Sequence, residues 1–225
     1  MPVRPLRSGD IPPALIMAGP TDRVLAQVSG VLPPAEQARA DRFRRDGDRR
    51  DFVAAHLLVR RCAAEVLAMT DGGAAPGELT LVQHCDRCGA GHGRPAIAEA
   101  PQLAVSLAHT RGYVCAAAGH GRVGVDVEHA LPGPADEILA ATVLTPAEAH
   151  AVGGDNRRLI RWWVRKEALV KRGELTLDRL RDADLSDLGH GPSSLIWRGR
   201  HVTEWASGPV LGTAITDGPA RLLLL

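Results

Sequence analysis

Three apolar-rich runs, Leu103 to Ala108, Tyr113 to Ala118 and Arg122 to Glu128, follow one another with only short turns carrying Gly112 or Gly121 between them. Connections that short join strands antiparallel, so the middle of the chain predicts an antiparallel meander. Two long amphipathic segments flank it. From Asp51 to Met69, Phe52, Ala55, Leu58, Val59 and Cys62 recur at helical spacing, and Arg157 to Arg172 reads as a second long helix. Shorter helices are expected at Asp22 to Ser29 and at Pro34 to Arg44, where Pro34 suits a first helical turn. Thr145 and Glu148 have capping-box spacing and predict a helix start before Val152. Strands at Ala14 to Ala18, Glu78 to Gln83, Arg94 to Ala98, Ser194 to Trp197, His201 to Ala206, Val210 to Thr216 and the terminal leucines complete an α+β pattern. The two long helices echo each other: Leu58-Val59-Arg60-Arg61 and Leu169-Val170-Lys171-Arg172 each follow an aromatic residue, Phe52 or Trp163, at the same distance. Duplication and coincidence both account for so short a match.

A chain of 225 residues can bury a full core, as one large domain or as two packed halves. With 45% apolar and 24% charged residues and no apolar run of membrane-spanning length, it reads as a soluble protein with a cytoplasmic location and no membrane partner. A net charge of +1 offers no global attraction for nucleic acid. The four cysteines, Cys62, Cys85, Cys88 and Cys115, are expected as reduced thiols. Cys85 and Cys88, flanked by His84 and His92, amount to half of a structural zinc site. Of 27 basic residues only Lys166 and Lys171 are lysine and the rest are arginine, which hints that an ammonium is required at those two positions.

In the third run Val123, Val125 and Val127 alternate with Gly124, Asp126 and Glu128, so the two carboxylates share the strand face opposite the valines. That pattern describes a solvated strand edge as well as a hard-cation site, with Gly124 leaving room for a ligand. Trp163, Glu167 and Lys171, four apart, share one face of the second long helix, with Lys166 about a third of a turn away. An exposed Glu-Lys pair would show the same spacing.

Taken together, Gly124-Val-Asp126-Val-Glu128 followed by Trp163-Val-Arg-Lys166-Glu167-Ala-Leu-Val-Lys171 resembles the paired signature of the 4'-phosphopantetheinyl transferase superfamily. Gly93-Arg94-Pro95 resembles its Gly-Lys-Pro element, and Val105-Ser106-Leu107-Ala108-His109-Thr110 its Asn-Ile-Ser-His-Ser strand end. The length is similar to that of the Sfp-type members, which implies two pseudo-symmetric α+β halves, each an antiparallel sheet packed with a long helix. The halves are expected at residues 1–119 and 120–225, the second carrying the metal site. Arginine stands at 94 where the family has lysine, and Ala108 where it often has a phosphate-contacting serine.

The resemblance implies transfer of the phosphopantetheine arm of coenzyme A to a serine of an acyl or peptidyl carrier protein by a monomer, with release of 3',5'-ADP. The carrier would serve fatty acid, polyketide or nonribosomal peptide synthesis. Mg²⁺ would be held by Asp126, Glu128 and Glu167 and by the pyrophosphate. Glu167, Lys171 and Lys166 would act on the serine proton and the developing charge. Arg94, Pro95, Ala108, His109, Asp126 and Lys171 would line the coenzyme A site. One or two of Arg39, Arg42, Arg44, Arg45, Arg49 and Arg50 would grip the 3'-phosphate, with Arg50 the choice; the interleaved Asp41, Asp46, Asp48 and Asp51 make most of that cluster a solvated face. The competing expectations are a coenzyme A or carrier-protein binding module without transfer, and a Mg²⁺-dependent phosphohydrolase.

Overall fold

The computed structural model describes residues 13–70, 73–83, 93–189 and 194–225; Cys85, Cys88, His84 and His92 lie outside them. In chain order the elements are β1 (Ala14–Pro20), α1 (Thr21–Gln27), α2 (Pro34–Ala40), α3 (Asp46–Thr70), β2 (Leu81–Gln83), β3 (Pro95–Ile97), β4 (Leu103–Thr110), β5 (Tyr113–His120) and β6 (Val123–His129). After these come α4 (Glu137–Val143), α5 (Pro146–Val152), α6 (Asn156–Lys171), β7 (Ser194–Trp197), β8 (Arg200–Ser207), β9 (Val210–Thr216) and β10 (Ala220–Leu224). A short 3-10 turn at Pro76–Glu78 replaces the first part of the strand expected from Glu78, leaving β2 three residues long.

Two sheets form, one ordered β10-β1-β5-β4-β3-β2 and the other β6-β9-β8-β7. The expected meander is therefore cut. β4 and β5 pair antiparallel as a hairpin, but β6 leaves that sheet and pairs antiparallel with β9. The local reason is that β6 has two different faces to satisfy. Val123, Val125 and Val127 enter a core with Ile16, Ala18, Cys115, Ala117 and Trp205 between the sheets, while Gly124 and Asp126 turn toward α6. A strand buried on both sides needs a layer on each.

The layers run helix, sheet, sheet, helix. Leu15, Met17, Val114 and Ala116 bury one face of the first sheet against Leu58, Val59 and Cys62 of α3. Val202 and Ile215 of the second sheet pack with Leu159, Trp162 and Leu169 of α6. The last strand, β10, runs parallel to β1, so residues 220–224 join the sheet of the N-terminal segment. No helix among the described residues is long and apolar enough to cross a membrane.

Candidate active site

The site begins with how closely α6 lies on β6. A Cβ on Gly124 would stand 2.0 Å from the Ala168 carbonyl oxygen and 2.9 Å from Arg172 N. The glycine thus makes room for the helix, not for a ligand as the sequence suggested. Only with α6 seated there does the third turn onward bring Glu167 and Lys171 over Asp126.

Lys171 Nζ donates to Asp126 Oδ1 at 2.7 Å, the ammonium 28% and the carboxylate 10% exposed. Burial raises the Asp126 carboxyl above its ordinary value, Lys171 opposes the rise, and Glu128 adds to it. Glu167 is raised by burial and then by Asp126, with Lys171 opposing. For Lys171 burial favours the neutral amine, but Asp126 outweighs it and holds the ammonium up. Asp126 and Glu167 thus share one lysine, and burial disfavours the charged form of both. Glu128 Oε1 accepts from Thr110 Oγ1 at 2.6 Å and from His129 N at 2.7 Å.

Beside this group opens a cleft of about 480 Å³, lined by Arg39, Phe52, His56, Arg94, Pro95, Ala108, His109 and Lys171 among others. Its lining includes Arg39, Arg94 and Lys171 and no carboxylate, so the cleft is electropositive. His109 keeps exposed surface, yet desolvation in the cleft wall lowers its imidazole and Asp51 only partly opposes this. Arg94 Nη1 donates to the Arg172 carbonyl at 3.2 Å, so this arginine also caps the C-terminal end of α6. A second hollow of about 510 Å³ shares Gly93, Arg94, Pro95 and Lys171 and continues past Arg122 and Arg172.

Two expected residues go elsewhere. Lys166 points into the core with no exposed surface, donating to Glu148 at 2.6 Å and to the Val143 carbonyl at 2.7 Å. It fastens α6 to α5 and does not join the carboxylate cluster; Glu148 completes the arrangement by accepting from Thr145 N and Leu185 N. Burial lowers the Lys166 ammonium, and Glu148 only partly restores it. Arg50 donates to Asp22 at 2.6 Å on the exposed side of α3, whereas Arg39 of the same cluster lines the cleft, its guanidinium 5.3 Å from the Phe52 ring centre.

Sequence reasoning also passed over Glu36, His56 and Arg60. His56 Nδ1 donates to Glu36 Oε2 at 2.6 Å, and Arg60 donates to both Glu36 oxygens and to the Leu79 carbonyl. The helix echo contained the signal, because aligning Phe52 with Trp163 sets His56 against Glu167 and Arg60 against Lys171. Cys62 and Cys115 are free and buried, and burial pushes both thiols up, out of reach of nucleophilic chemistry.

Residues 122–215, which carry the acidic residues and the lysine, match the model of the 4'-phosphopantetheinyl transferase superfamily. A 4'-phosphopantetheinyl transferase of Bacillus subtilis is 24% identical to it over 182 residues, which cover 78% of this chain and 74% of that protein.

Proposed function

We propose that this chain transfers the 4'-phosphopantetheine arm of coenzyme A to a serine of an apo acyl or peptidyl carrier protein, with Mg²⁺ as cofactor. The observation that carries the reading is Asp126, with Glu167 and Glu128 as its electrostatic neighbours and Lys171 bound to it, next to a cleft lined by Arg39, Arg94, His109 and Lys171. Residues 1–119 and 120–225 would be the two halves, each opening on one strand and a long helix.

Among the described residues no three His, Cys, Asp or Glu side chains are gathered as a ready metal grip. The donor set nevertheless fits Mg²⁺. It is all oxygen, with Glu128 raising Asp126 and Asp126 raising Glu167, and its carboxylates outnumber the one ammonium, the situation a hard divalent cation relieves. Asp126, Glu128 and Glu167 would hold the ion, which when bound supplies positive charge against the pyrophosphate.

The chain's own residues do the remainder. Arg39 and His109 would hold the 3'-phosphoadenosine end in the cleft, with Arg94 and Pro95 along its wall. The serine Oγ attacks the phosphorus that bears pantetheine, its bond to the bridging oxygen breaks, and 3',5'-ADP leaves with the electron pair. Glu167 takes the serine proton, a task its raised carboxyl suits. Lys171 neutralises charge on the departing phosphate or protonates it.

The test is to incubate the protein with coenzyme A, Mg²⁺ and an apo carrier protein and to weigh the carrier by mass spectrometry. A gain of one phosphopantetheine is expected. Cleaved coenzyme A beside unmodified carrier would mean a hydrolase, and intact coenzyme A would mean a binding module.

A further inference from the structure

Glu128 is the one carboxylate of the cluster that is held from the other half of the molecule. Its Oε1 accepts two donors, Thr110 Oγ1 at 2.6 Å and His129 N at 2.7 Å, so one of its two oxygens is held. Thr110 ends β4, in the turn to β5, and that turn is itself pinned. Gly112 N donates to Asp51 Oδ2 at 3.0 Å, Thr21 Oγ1 donates to Asp51 Oδ1, and Thr21 N donates to the Gly112 carbonyl at 2.9 Å. Asp51, on α3, is only 3% exposed. From the β6 side, His129 Nε2 meets the Arg111 carbonyl at 2.9 Å. A continuous run of hydrogen bonds therefore leads from α3 through the turn at 110–112 to the end of β6 that bears Glu128.

We propose that Thr110 is a positioning residue for divalent-cation binding: its hydroxyl fixes Glu128 Oε1 so that Oε2 is presented to the ion with Asp126 and Glu167. The inference rests on the transferase reading for the identity of the ion as a hard cation and goes beyond it in assigning the N-terminal half a part in a site whose ligands all lie in the C-terminal half. A hydroxyl is the right group, because a carboxylate that shares one oxygen with two neutral donors keeps its charge while losing its rotational freedom. Asp126 needs no such help, since Lys171 holds its Oδ1.

The test measures cation binding itself. Free Mn²⁺ is followed by electron paramagnetic resonance as it titrates the full chain in the presence of coenzyme A, for wild type, Thr110→Val and Thr110→Ser. The valine variant keeps the shape and lacks the hydroxyl; its Mn²⁺ affinity is expected to fall by about tenfold or more, the usual effect of removing a group that orients a metal ligand. Serine restores the hydroxyl and should bring the affinity back close to wild type, which a role in packing alone would not do. Melting curves by circular dichroism check that both variants fold, and Thr110→Ala repeats the test where valine does not. Wild-type affinity in the valine and alanine variants overturns this inference and leaves the metal reading intact. A wild-type protein that binds no Mn²⁺ with coenzyme A present overturns both.

Discussion

Two stretches of the chain, β1 to β5 and β6 to β9, run the same course and differ in their electrostatics. Each opens on a strand, β1 or β6, passes through two short helices into a long one, and returns through strands so that its last long strand, β5 or β9, pairs with the opening one. In the two registers Met17 faces Ala116 and Asp126 faces Thr213. On the helices, His56 and Arg60 occupy the places of Glu167 and Lys171. On the first side the acid beside His56 and Arg60, Glu36, has burial working against it, yet hydrogen bonds from those two residues outweigh burial and hold it below its ordinary value of 4.5. In the C-terminal half burial and mutual repulsion hold Asp126 and Glu167 up. One half has settled its buried charge internally. In the other, burial disfavours the charged form of two carboxylates beside a single ammonium, and the proposed function would make that side the reaction centre and the first side a wall.

The largest effect that would sharpen this contrast is expected from Asp126→Ala. Removing a carboxylate proposed to hold the metal should lower transfer by on the order of a thousandfold while circular dichroism shows an intact fold. Turnover near wild type at saturating Mg²⁺ would take Asp126 out of the site and leave the halves functionally alike.

Next come the two lysines, which separate reaction from scaffold within one helix. Lys171→Arg should cost about ten to a thousandfold in turnover with little change in stability, since a planar guanidinium cannot replace a compact ammonium on Asp126 or give up a proton. Lys166→Ala should instead destabilise the fold by about 3–5 kcal/mol, the cost of stranding the buried Glu148. Steady-state kinetics with thermal melts decide between them. A stable Lys166→Ala protein that has lost only turnover would return Lys166 to the catalytic group.

The smallest effect concerns the N-terminal half and acid. A carboxyl whose folded value is depressed contributes stability that is present above its unfolded value of 4.5 and is lost as pH falls through the lower folded one. Glu36→Gln should therefore be less stable than wild type at neutral pH by about 2 kcal/mol, with the gap closing as pH drops below 4.5. Melting midpoints measured across that range check it; parallel curves for the two proteins would mean that Glu36 is not held ionised by His56 and Arg60.

Much of this molecule was written locally. The helical spacing of Phe52 through Cys62, the Thr145–Glu148 capping box and the alternation of Val123, Val125 and Val127 all depend on neighbours a few residues apart, and each appears as read. Asp126, Glu128, Glu167 and Lys171 were nameable as a group because two-residue and four-residue spacings set which side chains share a face. What lies between elements was not legible. Spacing could not say that β6 would leave the β4–β5 hairpin for β9, because a short turn permits a crossing to a second sheet as readily as pairing. It could not distinguish Gly124 as room for a ligand from Gly124 as room for α6. Nor could it separate Lys166 from Lys171 by role, or Arg39 from Arg50: a position about a third of a turn away on α6 is the difference between the core at Glu148 and the cluster at Asp126. Those outcomes depend on partners tens of residues away in the chain, and only the packed layers, by deciding which faces are buried against which, bring such partners together.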